Sequence, residues 1–241
     1  MKKFIILIAL LLMSLPSLLF AGMTASGRPC PGGAVAAPTT IIDETWAGCT
    51  NGAEPASCTS GLTWTAEGTD IFTITQTSPP SGYDQAIYQN TSGATVYYLS
   101  TPVSITSDFV IEWYWKTNVT NTVTTYRASL AFSGTAGSFG RMGLQVGAAE
   151  KYLDYYIGGA GFVDFSPEIV VEPDTWYLFK IVYHFNGESA DTWDFWVDDV
   201  EKQTGIGVWY SNTEITSIKF LHYSSSATTY AWLGRVYVYT P

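Results

Sequence analysis

Residues 174–201, DTWYLFKIVYHFNGESADTWDFWVDDVE, decide the fold. The stretch starts a strand on a tryptophan and continues as an alternating apolar run. A polar turn follows, then a second aromatic-rich strand, then a tight hairpin at Asp198-Asp199. Successive side chains of a strand point to opposite faces, so alternation of this kind gives a hairpin with one apolar face. Such a face needs a second sheet to cover it, which predicts a two-sheet β-sandwich.

The same period of two runs along the rest of the chain. A first strand is expected from about Thr39, carrying Ile41 and Ile42. Further strands are expected over 62–67, 70–77, 83–90, 95–100, 109–116, 126–132, 141–146, 152–157, 176–185, 192–197, 217–224 and 230–239. The clearest is 109–116, where Phe109, Ile111, Trp113 and Trp115 share one face and Glu112, Tyr114 and Lys116 the other. In 126–132, Tyr126, Ala128, Leu130 and Phe132 stand opposite Arg127 and Ser129. No segment keeps helical spacing, and the abundant β-branched and aromatic residues suit pleated surfaces. The expected fold class is all-β, an antiparallel two-sheet jelly-roll sandwich.

Residues 1–21 place Lys2 and Lys3 before the apolar run Phe4–Met13, with small residues leading to Ala21. That is the layout of a cleaved secretory signal peptide. The run is shorter than the roughly 20 residues of a membrane span, and Pro16 breaks it. No later run is long enough to span, so the expected product is secreted or held at the cell surface. Residues 22–38, GMTASGRPCPGGAVAAP, lack periodicity and read as a flexible N-terminal arm. Residues 39–241 then form one domain, large enough for a substantial core.

The formal charge is −10, and losing Lys2 and Lys3 makes the chain more acidic still. Such a protein is repelled by phosphate backbones, which excludes nucleic acid as a partner class. Only 13% of residues are charged while 15% are aromatic, which excludes a disordered chain. Cysteines occur only at Cys30, Cys49 and Cys58. In an exported chain Cys49 and Cys58 can close a short disulfide loop, leaving Cys30 over, with a bridge from Cys30 to either as the rival pairing.

The order of motifs carries a resemblance. IIDETW leads to FVIEWYWK, then to the Trp-led strand TWYLFKIVYHF, the hairpin strand WDFWVDDVEK and a closing AWLGRVYVY. This succession resembles the concanavalin A-like lectin/glucanase superfamily, and within it the laminin-G-like jelly-roll domains. The resemblance spans roughly Ile41 to Tyr239. It implies two antiparallel sheets, one of them curved, and binding of carbohydrate or protein, often with calcium. Two departures stand out. Gly234 occupies a place before the closing strand where an acidic residue is common, which weakens a calcium site. Asp198-Asp199 replaces the usual Asp-Gly turn, a change that aspartate tolerates at positive φ.

Glycosidases of such a fold need two carboxylates flanking a sugar bond. Glu-x-Asp-x-x-Glu is absent, and the nearest substitutes are Glu168 with Glu172 and Asp194 with Asp198, which read instead as solvated or hairpin-setting acids. His184 and His222 alternate with apolar strand residues and read as satisfied strand histidines. Gly-x-Ser-x-Gly is absent. Asp43, Asp70, Asp84, Asp108, Asp164 and Asp174 sit near strand ends, where calcium sites form, but are scattered without a calcium-loop pattern. The chain therefore leans away from an enzyme.

The aromatic content exceeds what one sandwich core requires, so rings should remain on the surface. Sugars stack on such rings while carboxylates, amides and arginines take their hydroxyls. The candidate ligand-binding residues are Glu112 and Tyr114, then Asp194 and Trp196, then Tyr152, Asp154 and Tyr156, with Arg127 contributing a polar end. The expected function is a lectin-like module that binds a glycan or polysaccharide on one sheet face. A surface, appendage or filament subunit contacting other copies of itself or surface proteins is the alternative, and a glycoside hydrolase the third.

Overall fold

The computed structural model describes residues 37–55, 61–68, 71–91, 96–118, 126–135, 137–146, 151–157, 161–186, 190–208, 212–224 and 229–241. Within them lie fifteen strands and no helix, numbered β1 to β15 along the chain. The first sheet holds β1 (Thr39–Glu44), β3 (Phe72–Thr75), β4 (Ala86–Thr91), β6 (Phe109–Thr117), β11 (Tyr177–His184), β12 (Thr192–Val197), β13 (Val200–Gly207) and β15 (Thr229–Thr240). Its order is β13-β12-β11-β6-β15-β4-β3, with β1 also on β15. The second sheet holds β2 (Thr65–Ala66), β5 (Tyr97–Ile105), β7 (Tyr126–Gly134), β8 (Gly137–Val146), β9 (Lys151–Ile157), β10 (Gly161–Asp164) and β14 (Ile215–Ser224). Its order is β10-β9-β8-β7-β14-β5-β2, and both sheets are antiparallel throughout. The chain folds as the two-sheet sandwich that its periodicity predicts.

The core lies between the sheets. Phe109, Ile111, Trp113 and Trp115 of β6 are buried together, as the alternation requires, with Phe179, Ile181 and Tyr183 of β11 beside them. Phe132 of β7 meets Phe109 edge-on at 5.6 Å, and Phe220 of β14 meets Trp113 at 6.3 Å, joining the two layers. Each fully buried ring of this kind contributes about 1.5–3 kcal/mol by leaving water.

Two acids are buried with partners. Glu44, at the end of β1, accepts the Trp46 N–H at 2.9 Å and the Trp64 indole N–H at 3.2 Å. Asp191 accepts the Tyr183 hydroxyl at 2.8 Å and the backbone N–H of Asn186 and Asn212 at 3.0 Å each. Burial, then the Asp191 carboxylate, hold the Tyr183 hydroxyl far above the usual phenol range.

Some expectations shift. The strand expected over 62–67 shrinks to Thr65–Ala66, because Gly61 and Gly68 turn at positive φ and Trp64 is drawn inward to Glu44. Strands β10 and most of β13 carry no clean alternation, and the sequence did not show them. Lys116 does share the outer face with Glu112 and Tyr114, but it is buried there beneath indole rings. The signal segment 1–21, nearly all of the arm 22–38, and Cys30 and Cys58 lie outside the described residues.

Candidate functional site

The residues of the first sheet that point away from the core form cross-strand rows. One row reads Asp43, Tyr237, Glu112, Lys180, Trp196, Glu201 across β1, β15, β6, β11, β12 and β13. A second reads Thr40, Tyr239, Val110, Val182, Asp194. A third, toward the other end of β15, reads Thr73, Tyr88, Trp232, Lys116. Aromatic side chains on these rows are half-buried rather than sealed.

Between the rows, β15 departs from regular pairing at Gly234-Arg235. The irregularity keeps both Leu233 and Val236 in the core while turning Arg235 outward. The Trp46 indole fastens it from beneath, donating to the Gly234 carbonyl at 2.7 Å. Above it lies a depression of about 50 Å³ lined by Tyr83, Glu112, Tyr114, Leu178, Arg235 and Tyr237. Arg235 donates to Asp43 at 2.7 Å and lies 4.3 Å over the Tyr237 ring, while the Tyr83 and Tyr114 rings sit 5.7 Å apart.

Two of the tyrosine hydroxyls on this face are shifted upward. Burial, then Tyr83, raise the Tyr114 hydroxyl above its usual value, against a lowering by Arg235. Burial and the Glu112 carboxylate push Tyr239 up to about 12, and its hydroxyl donates to Glu112 at 3.3 Å. Lys180 holds its ammonium 4.8 Å from the Trp196 ring centre. The pocket therefore offers aromatic rings edged by phenols, a carboxylate and a guanidinium.

A second aromatic group flanks it. The Lys116 ammonium lies 4.4 Å from Trp232 and 5.0 Å from Trp176, and donates to the Ser78 carbonyl at 3.3 Å. Burial lowers its pKa, with Asp174 acting in the opposite sense. Tyr88 stacks on Tyr230 at 5.2 Å and tilts against Trp232 at 5.4 Å.

Of the sequence-predicted site residues, Glu112, Tyr114, Asp194 and Trp196 come together on this one face. Asp194 already has two bonds, accepting the Gly205 N–H at 2.7 Å and meeting His184 Nε2 at 3.0 Å. Asp108 meets His184 Nδ1 at 3.3 Å. Burial opposes the imidazolium, but Asp194 and then Asp108 outweigh it and raise the His184 pKa. Asp198 accepts the Leu178 N–H at 2.8 Å, so the acid pair Asp194 and Asp198 is held in local hydrogen bonds.

Arg127, Tyr152, Asp154 and Tyr156 belong instead to the second sheet, on β7 and β9. The candidate rows are thus divided between two sheets. Backbone register sets Tyr152 opposite Gln145, Asp154 opposite Gly143, and Tyr156 opposite Arg141. Asp154 is fully buried, and the side chains of Arg127, Tyr152, Tyr156 and His222 lie outside the described residues. Cys49 packs against the core, while its expected partner Cys58 is not described. Among the described residues, no three of His, Cys, Asp and Glu gather closely enough to hold a metal ion such as calcium.

Tyr83, Lys180, Arg235, Tyr237 and Tyr239 were not singled out from sequence. The closing strand carried a usable signal: Tyr230 and Trp232, then Tyr237 and Tyr239, alternate with apolar residues on either side of Gly234-Arg235.

No protein-family model and no curated protein matches this sequence. Solved structures do match. The chain is similar to alginate lyase Aly36B, with a TM-score of 0.61 at 10% identity over 84% of this chain and 97% of that one. It is similar to the carbohydrate recognition domain of Emp47p, with a TM-score of 0.55 at 10% identity over 84% and 95%. An endo-beta-1,4-glucuronan lyase from the fungus Trichoderma reesei aligns with a TM-score of 0.53 at 10% identity over 79% and 94%. These likenesses establish a shared sandwich fold over most of the chain.

Proposed function

We propose that this chain is an exported glycan-binding module of the concanavalin A-like kind, which seats sugar on the outer face of its first sheet. The observation that carries the reading is the group of half-buried rings on that face, Tyr114, Trp196, Tyr237 and Tyr239, each beside a carboxylate, phenol or cation. Enrichment of tyrosine and tryptophan on an open face marks recognition surfaces, because the rings supply rigid contact area with polar edges. The neighbours named for alginate, glucuronan and carbohydrate recognition are in keeping with a sugar ligand. The hydrogen bonds that occupy Asp194 and Asp198 favour binding over glycoside hydrolysis by that pair.

The test is a glycan array probed with wild type, Trp196→Ala and Tyr114→Ala, each checked for folding by near-ultraviolet circular dichroism. Selective retention by wild type, weakened about tenfold or more in either variant, supports the reading. Retention of no glycan refutes it. Release of unsaturated sugar ends from alginate or polyglucuronate would replace it with a lyase.

A further inference from the structure

The charge pattern of the same face narrows the ligand. Resting on the glycan-binding reading, we infer that the outer face of the first sheet takes an uncharged oligosaccharide and rejects polyuronates. Its cations are already engaged. Arg235 is bonded to Asp43 at 2.7 Å, Lys180 stands in register with Glu112 and lies 4.8 Å from the Trp196 ring, and Lys116 is buried between two indoles. The carboxylates outnumber these three, because Asp43, Glu112, Asp194 and Glu201 lie in and beside the row that carries Trp196.

A sugar carboxylate laid along this row would meet like charge at close range, in a protein whose formal charge is already −10. An uncharged sugar meets a different surface. Its C–H faces can stack on Trp196 and its far end can reach the phenol edge of Tyr237, which three strand spacings place roughly 14 Å away. Its hydroxyls can donate to Glu112, and accept from the phenols of Tyr83 and Tyr114 in the pocket between them. That span suits a short run of sugar units lying across the strands, with the Tyr114 pocket taking a unit in the middle.

The experiment is calorimetric titration of the purified exported chain with cellohexaose, with N-acetylated chitohexaose and with an alginate hexasaccharide at low salt. Trp196→Ala and Tyr114→Ala are run in parallel. The expected result is binding of at least one uncharged hexasaccharide, at least about tenfold weaker binding of the alginate oligomer, and a loss of about tenfold or more in each variant. Equal or tighter binding of the alginate oligomer, abolished by Trp196→Ala, overturns the inference and leaves glycan binding at this face intact. Binding untouched by both variants overturns the assignment to this face. No binding of any of the three, with an empty glycan array, overturns the glycan-binding reading and this inference with it.

Discussion

A Cβ added at Gly234 would lie 2.5 Å from Pro80 Cγ and 2.7 Å from Tyr114 Cβ, with the backbone at that residue fixed by the Trp46 indole. The residue was legible only as a departure from an expected acid; its physical reason is close approach, which no sequence pattern encodes. Gly234→Ala is expected to lower stability by about 1–3 kcal/mol and to displace Tyr114, read as a fall in the urea midpoint. Glu44 gives a second test. Glutamine there keeps one acceptor but turns an amide N–H₂ toward a donor, either the Trp46 N–H or the Trp64 indole. Glu44→Gln should cost about 1–3 kcal/mol in the same assay, whereas a surface Glu→Gln change should cost little.

At the scale of the element, the hairpin between β12 and β13 was the most legible feature. Asp198 and Asp199 both adopt positive φ, 50° and 61°, the conformation that a two-residue hairpin of matching twist demands. Their side chains differ in consequence, since Asp198 accepts the Leu178 N–H at 2.8 Å. Asp199→Gly should therefore raise stability by a few tenths of a kcal/mol to about 1, and Asp198→Gly should lower it by about 1. Thermal melts showing both variants shifted in the same direction would contradict this account. The strand β11 carries a pH dependence through His184. Its pKa is raised above the unfolded value of 6.5, so its contribution is fully present below about pH 6.5 and disappears as pH rises through the folded value. The urea midpoint should fall as pH rises above about 6.5, and fall less in His184→Gln. Sequence showed His184 as a strand residue but not its two aspartates, because Asp108 reaches it from the loop before β6, 76 residues away.

For the whole molecule, period-two hydrophobicity was enough to specify two stacked layers, because burial of alternate faces leaves few other arrangements. It also foretold that rings would remain outside the core, and Tyr114 and Trp196 are among them. Which rows share a sheet was not legible. Alternation places a side chain on a face of its own strand, but sheet order comes from long-range pairing. Thus β9, carrying Tyr152, Asp154 and Tyr156, lies on the second sheet although it read much like β6 and β12. Asp154 shows the limit most plainly, since a polar residue in an alternating strand reads as exposed and is here fully buried.

Most directly, sugar binding at this face is tested by a crystal structure of residues 39–241 soaked with an uncharged β-linked hexasaccharide. Sugar rings are expected to lie across β15, β6, β11 and β12, stacked on Trp196 with a unit in the Tyr114 pocket. Sugar seated instead along β7, β8 and β9 of the second sheet, with the outer face of the first sheet bare, would contradict it.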